Sequence, residues 1–461
     1  MTRVAVFVPG IMGSVLELQN PDGTREVVWP GSVASLVLPY NKMAQLMSDD
    51  LIATDVIRRV SFSVQYQQLI DDLARCGFRE TVQDGTKPTL YLCPYDWRGD
   101  NARAADALAD KVDAAVAEHG AGTQVTLIGH SMGGLVGRYY LESGDYAARP
   151  GFPAVRELFT LGTPHRGAPL ALSAALGQEK RLFLSAAQVR RLASDTRFTA
   201  LYQLLPPRGE PFAWADGARN AYGVVDIYDP QVARSLGLVA QNLRAAEEFH
   251  VKLDLNRRPQ FQGAPVRYFF FVGTRQMTYS AVKVLDLLTN PTTYRVTPWG
   301  LEDAGDGTVP AWSGALTGVQ GHPVGGEHGT IYRNDVLLQT LGALLGAPGV
   351  LAARPEKVEV SLRERVVKMA APVHVALTFG PGVDRLDGKL VIQRAQTDAQ
   401  GFVTFSPPVS EHPITYSGLN AERLNVVFSA PGYPDVYRVA YIPSGHADPA
   451  GSDELFVQQD I

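Results

Sequence analysis

Residues 125–140 read VTLIGHSMGGLVGRYY, a β-branched run that ends in a cluster of glycines and continues into a helical pattern. Within it, Gly129-His130-Ser131-Met132-Gly133 fits Gly-x-Ser-x-Gly. A strand that turns this sharply into a helix belongs to a sheet with crossover helices, and the serine at the apex is forced toward positive φ with its hydroxyl standing free. Glycines two before and two after Ser131 remove side chains that would clash in so tight a turn. A plain structural turn accounts for the glycines equally well; the strand before and the helix after favour a nucleophile.

A serine hydroxyl is a weak nucleophile without a base to take its proton and an acid to orient that base. In the order serine, acid, histidine, the nine histidines reduce to His322 and His328, because the others precede any acid loop or fall in the C-terminal region. His328 lies in GGEHGTIYRNDVLLQTLG, a glycine-flanked loop before an amphipathic helix, and is preferred; His322, beside Pro323, reads as a loop residue. The acid is expected in GLEDAGDGTVP at Asp306, with Asp303 as its neighbour and a solvated Asp-Gly turn as the plain alternative. The oxyanion-binding N–H groups are expected from Met132, following the nucleophile, and from Ile11, exposed by Pro9-Gly10 in VFVPGIMGS.

Over residues 1–350 short β-branched runs alternate with helical patterns, so the expected fold class is α/β, a sheet with crossover helices, followed by a small all-β sandwich at 355–461. Strands are expected at 3–8, 89–93, 124–128, 157–161 and 266–272, and a helix between Asp100 and Gly120. Two long segments interrupt the alternation, about 20–60 and about 168–265; both read as insertions above the sheet, a lid and a cap. Beyond residue 355, KVEVSL, PVHVALTF, GKLVIQ, GFVTF, LNVVFSA and VYRVAYI alternate apolar and polar residues between turns, the pattern of a β-sandwich. It carries no serine, histidine and acid order of its own, so the chemistry is expected to survive its removal.

A net charge of -5 and no Lys/Arg cluster argue against a nucleic-acid partner. Two cysteines, Cys76 and Cys93, allow one optional bridge or two free thiols. The N-terminus reads as a strand and not a secretory signal, and the longest apolar stretch is broken by Pro348, so neither a signal peptide nor a transmembrane segment is expected; the protein would be cytoplasmic or exported by another route.

VPGIMGSVLE, PYDWR, GHSMGG, LGTPHRGAP and GDGTVP occur in this order, and together they resemble the lecithin:cholesterol acyltransferase family of lipases, phospholipases and acyltransferases. The resemblance implies an α/β-hydrolase domain with Ser131, Asp306 and His328 as triad and a lid near 20–60, and says nothing of residues 355–461. It departs from the secreted animal members in lacking a cysteine pair at the lid. Asp96 and Arg98 of PYDWR are expected to pair and brace a strand-end loop, Thr163 and Trp97 to wall the acyl pocket, and His165 to be structural.

These readings converge on a serine esterase acting on lipid-like acyl esters, with no metal or organic cofactor needed, a lipid or other acyl ester as partner, and contact with a lipid interface expected from the apolar lid. Transfer to an alcohol is the alternative chemistry, and a non-catalytic lipid or carbohydrate binder the alternative class.

Overall fold

Val4, Val6 and Val8 alternate with Ala5 and Phe7, so the first strand presents apolar side chains to both faces, as a strand sandwiched between helical layers must. The computed structural model describes the chain except residues 1, 21, 32–39, 61–62, 81–86, 217–222, 286–294, 350–357, 380–384, 398–402, 419–422 and 460–461. Among the described residues, β1 (Arg3–Val8), β2 (Leu90–Leu92), β3 (Gln124–His130), β4 (Val155–Leu161), β5 (Arg267–Thr274) and β6 (Gln320–Gly325) form a parallel sheet in the order β6-β5-β4-β3-β1-β2. This is the α/β-hydrolase fold. The five expected strands are present, and the sixth is β6, where QGHPVG carries too little apolar alternation to announce a strand and pairs because Phe269 to Thr274 lie alongside it.

Helix α1 (Asn101–His119) starts where Asp100 accepts from the Ala102 N–H at 2.9 Å and stops at Gly120, whose φ is 82°. Its Ala105, Leu108 and Val112 pack on one face of the sheet. Helix α2 (Met132–Glu142) is buried along its whole length. On the opposite face α3 (Asp335–Leu344) brings Leu337, Leu338 and Leu341 against Phe159, Phe269 and Phe271.

The segment expected as a lid contributes to a small antiparallel sheet of Ser14–Gln19, Arg25–Trp29 and Leu51–Val56; residues 32–39 of that segment lie outside the described residues. It is fastened rather than free at its described end: Trp29 is fully buried and its indole N–H donates to the Met12 carbonyl at 2.9 Å. The cap segment is helical, with Leu170–Ala175, Ala186–Ala193, Pro230–Leu236 and Ala240–Lys252. Beyond β5 the chain continues into a hairpin of Gln276–Leu285 and Arg295–Gly305, which stands outside the central sheet.

C-terminal strands form two sheets, one of Glu359–Leu362, Pro372–Thr378 and Arg423–Ser429, the other of Val366–Lys368, Gly451–Gln458, Asp435–Pro443, Arg385–Thr397 and Val403–Ser417. Leu362, Val375, Leu390, Val439 and Leu455 fill the space between them, a β-rich unit consistent with the expected sandwich. Val366, Val436 and Phe456 nevertheless belong to the same apolar cluster as β1 and β3, so the two units share a core. Both cysteines are free thiols. Among the described residues no helix is long and apolar enough to cross a membrane.

Candidate active site

Parallel strands deliver their C-terminal ends to one edge of the sheet, and there the loops after β1, β3, β4 and β6 converge. Ser131 follows β3 with φ 51°, the strained left-handed value that the tight turn demands. A Cβ on Gly133 would lie 2.3 Å from the Val8 carbonyl oxygen, and one on Gly129 2.5 Å from the Gly134 nitrogen, so neither position of the pentapeptide has room for a side chain. Loop 9–13 passes close enough that a Cβ on Gly10 would sit 2.9 Å from the Ser131 Cβ.

The Ser131 hydroxyl lies 2.8 Å from His328 Nε2, and His328 Nδ1 lies 2.8 Å from Asp306 Oδ2. Asp306 is fully buried at the end of the outlying hairpin, and its Oδ1 accepts from the Thr308 and Val309 N–H groups at 3.0 and 2.7 Å. Its own carbonyl accepts from the His328 N–H at 2.8 Å, locking acid loop to base loop. Nδ1 of His328 therefore carries the proton and Nε2 accepts from Ser131. Burial works against charging this imidazole, but the Asp306 carboxylate, with Glu327 beside it, outweighs burial and holds the pKa above the ordinary histidine value.

Of the expected site residues, Ser131, Asp306 and His328 are brought together, and Ile11 lies in the cavity-lining turn beside Ser131. Met132 opens α2, where a backbone N–H has no carbonyl a turn behind it to bond. His322 is in β6, stacked on Phe271 at 5.2 Å, and takes no part. Trp97 lines the cavity, edge-on to Trp29 at 5.2 Å. Thr163 corrects the expectation of a pocket wall: its hydroxyl donates to the Ser131 carbonyl at 2.8 Å and packs behind the turn against Gly134, while Pro164 faces the cavity. Asp96 and Arg98 do pair, through two contacts of 2.8 and 2.7 Å, and Arg98 also donates to the carbonyls of Leu46 and Ser48, tying the small antiparallel region to the strand-end loop. His165, buried against Phe270 with its ring 3.7 Å away, is structural.

Two participants escaped the sequence. Tyr66 accepts from the Gly10 N–H at 3.0 Å and donates to His130 Nδ1 at 2.8 Å; His130 in turn donates through Nε2 to the His328 carbonyl at 3.1 Å. His130 was visible only as the variable residue in the pentapeptide, and nothing near Tyr66 in the sequence marks it. Burial, with His328 nearby, takes the His130 pKa down to about 3, so this imidazole stays neutral.

Above these residues opens a cavity of about 620 Å³ lined by apolar groups including Ile11, Leu170, Phe183, Leu192 and Leu204. Leu362, Val366 and Phe456 of the sandwich also line it. Ser131, Asp306 and His328 all belong to the first unit, and the apolar seam that joins the units runs into the cavity wall.

Fold and site define an α/β-hydrolase with a serine, histidine and aspartate at the C-terminal edge of its sheet. Residues 51–247 match the family described as lecithin:cholesterol acyltransferase, the family that the motifs resemble. That segment contains Ser131 but neither Asp306 nor His328. Among curated proteins none matches the chain. Similar solved structures include the mature lipase BlEst2 of Bacillus licheniformis (14% identity over 74% of this chain and 91% of that one, TM-score 0.35). The lin2722 product of Listeria innocua is 12% identical over 74% of this chain and 92% of that one, with a TM-score of 0.30. The metagenomic carboxyl esterase MGS0156 is 14% identical over 71% and 64%, with a TM-score of 0.31.

Proposed function

We propose that the protein is a serine ester hydrolase of the lipase or phospholipase A type, acting on lipid-like acyl esters. The observation that carries this reading is the unbroken relay from Ser131 Oγ through His328 to Asp306, 2.8 Å at each step, at the floor of an apolar cavity. His328 Nε2 takes the Ser131 proton as Oγ attacks the ester carbonyl carbon. The alkoxide that develops accepts from the N–H groups of Ile11 and Met132, and Asp306 stabilises the imidazolium. Collapse breaks the ester C–O bond, and the imidazolium gives its proton to the departing alcohol, leaving an acyl group on Ser131. Water, deprotonated by His328, then attacks the acyl carbon; the bond to Ser131 Oγ breaks, the imidazolium returns its proton to Oγ, and the fatty acid is released.

Apolar walls suit an acyl chain, since each buried methylene contributes about 0.8 kcal/mol. The test is reaction of the full chain with a fluorophosphonate probe, with the adduct located by mass spectrometry, beside hydrolysis of p-nitrophenyl esters from short to long chain. Labelling of Ser131 and hydrolysis that Ser131→Ala abolishes support the reading; a folded protein that neither labels nor hydrolyses any ester would identify a binder instead.

A further inference from the structure

A residue of the sandwich reaches the loop that bears His328. Arg365, in the turn between Glu359–Leu362 and Val366–Lys368, points Nη2 at Glu327 Oε2 across 3.7 Å, and Glu327 is the residue before His328. The same guanidinium meets Asp453 of the strand Gly451–Gln458, Nη2 to Oδ1 at 3.1 Å and Nε to Oδ2 at 3.3 Å. Asp453 is itself fixed, its Oδ2 accepting from the Leu362 N–H at 2.9 Å. With side-chain exposures of 13% for Arg365, 24% for Glu327 and 2% for Asp453, the three lie in a largely dry junction where an ion pair is screened little. Glu327 also begins the turn that carries His328, its carbonyl accepting from the Thr330 N–H at 3.0 Å.

We propose that the C-terminal sandwich is a working part of the active site, with Arg365 a positioning residue that holds Glu327 and, through it, the loop bearing His328. The inference rests on the reading of His328 as the catalytic base. Leu362, Val366 and Phe456 complete the cavity wall, and Phe456 meets Phe183 of the cap edge-on at 5.5 Å, so the sandwich supplies substrate surface as well as support. Further ties cross the junction at Lys180, which donates to the Val366 carbonyl at 2.7 Å and pairs with Glu364 at 2.9 Å.

The charges around this cluster give the test a direction. Glu327 faces Arg365, Asp453, His328 and Arg333; Arg365 faces Asp453, Glu327, Glu454 and Tyr332; His328 faces Asp306, Glu327 and Arg181. Burial raises the Glu327 carboxyl to about 7, and Arg365 opposes that rise. A charged Glu327 supports protonation of His328, so removing its charge lowers the His328 pKa and keeps the imidazole neutral, and active, to lower pH.

The experiment compares Arg365→Gln, Arg365→Lys, Glu327→Gln and the double variant Arg365→Gln with Glu327→Gln, all in the full chain. Each is checked for folding by circular dichroism and assayed for kcat, KM and pH profile on a soluble short-chain ester. Arg365→Gln is expected to lower kcat about tenfold with little change in KM for the small ester, because it loosens a base rather than a binding surface. Arg365→Lys should recover most of the loss. Glu327→Gln should move the acid limb of kcat/KM to lower pH, and the double variant should be no slower than the slower single one, since the two residues act through one contact. A folded Arg365→Gln with unchanged kcat, or losses that multiply in the double variant, overturns the proposal. Should Arg365→Gln fail to fold, unchanged kcat in Arg365→Lys together with an unmoved acid limb in Glu327→Gln overturns it instead. Ser131→Ala distinguishes the two levels: if that variant still hydrolyses the ester, the serine mechanism itself is wrong, whatever the Arg365 series does.

Discussion

His130 donates through Nε2 to the main-chain oxygen of His328 across 3.1 Å, joining the residue before Ser131 to the histidine that Ser131 meets. The rings lie 5.3 Å apart, and two imidazolium ions so close would repel. The structure avoids this by burial and by the Tyr66 hydroxyl, which donates to His130 Nδ1 and so fixes the neutral tautomer with its proton on Nε2. Nucleophile loop, base loop and the loop bearing Ile11 are thereby held by one short chain of hydrogen bonds.

The relay predicts that Ser131→Ala and His328→Ala each cut ester turnover by roughly 10⁴ or more, because its members act as a unit. His322→Ala should leave kcat within a few-fold, as its ring stacks on Phe271 away from the cavity. Steady-state kinetics on one soluble ester decides this, and a dead His322→Ala would reassign the base.

Tyr66→Phe keeps the ring but removes the hydroxyl that serves both Gly10 and His130. Leaving buried partners unmet should cost about 1–3 kcal/mol of stability. Turnover should also fall, because the Ile11 N–H is carried by the loop that Gly10 begins. Denaturant titration and kcat together check the prediction; a variant as stable and as fast as the parent would remove Tyr66 from the site.

Three histidines buried in their neutral form predict sensitivity to acid. Burial lowers the pKa of His130 to about 3, that of His250 to about 4 and that of His165 well below 6.5. Below about pH 6.5 the unfolded chain therefore takes up protons that the folded chain refuses, so stability is full above that pH and drains as pH falls toward the folded values. His250→Gln retains a donor for the Leu205 carbonyl, which His250 now meets at 2.8 Å, without the titrating ring. Its melting temperature should decline less steeply on acidification than that of the parent, and equal slopes would count against the assignment.

Filling the cavity should select against long chains. Ala171 lines the wall contributed by the cap, and Ala171→Phe narrows the space an acyl chain would occupy. The expected result is a fall in kcat/KM for a dodecanoate ester at least about tenfold greater than for a butyrate ester, equivalent to losing roughly two buried methylenes. Equal losses on both esters would mean that the chain lies elsewhere.

The acyl acceptor is expected to be water. Transfer requires a pocket that holds an alcohol beside His328 and keeps water out, whereas hydrolysis requires only access. Feeding a long-chain ester with and without a hydrophobic alcohol, and weighing free fatty acid against new ester, tests the choice. New ester dominating at modest alcohol concentration would make the protein a transferase with the same relay.

The sequence alone specified what depends on neighbours along the chain. The strand, glycine turn and helix around Ser131, the Asp100 cap of α1 and the alternation of Val4 to Val8 are local, because backbone sterics, capping and periodicity act within a few residues. Order along the chain reduced the base to His322 or His328, and the loop context of each candidate preferred His328 and Asp306. Tertiary structure decided everything that depends on distant segments. Only folding puts Tyr66 under Gly10, turns Thr163 behind Ser131 instead of into the cavity, and pairs QGHPVG with β5 to make an edge strand. It also brings Arg365 to Glu327 and Phe456 into the cavity wall, so that a region whose strands looked separable shares a core and a site with the first. No spacing encodes such contacts, because the ion pair and the apolar seam form between side chains whose proximity is fixed by the packing of whole sheets.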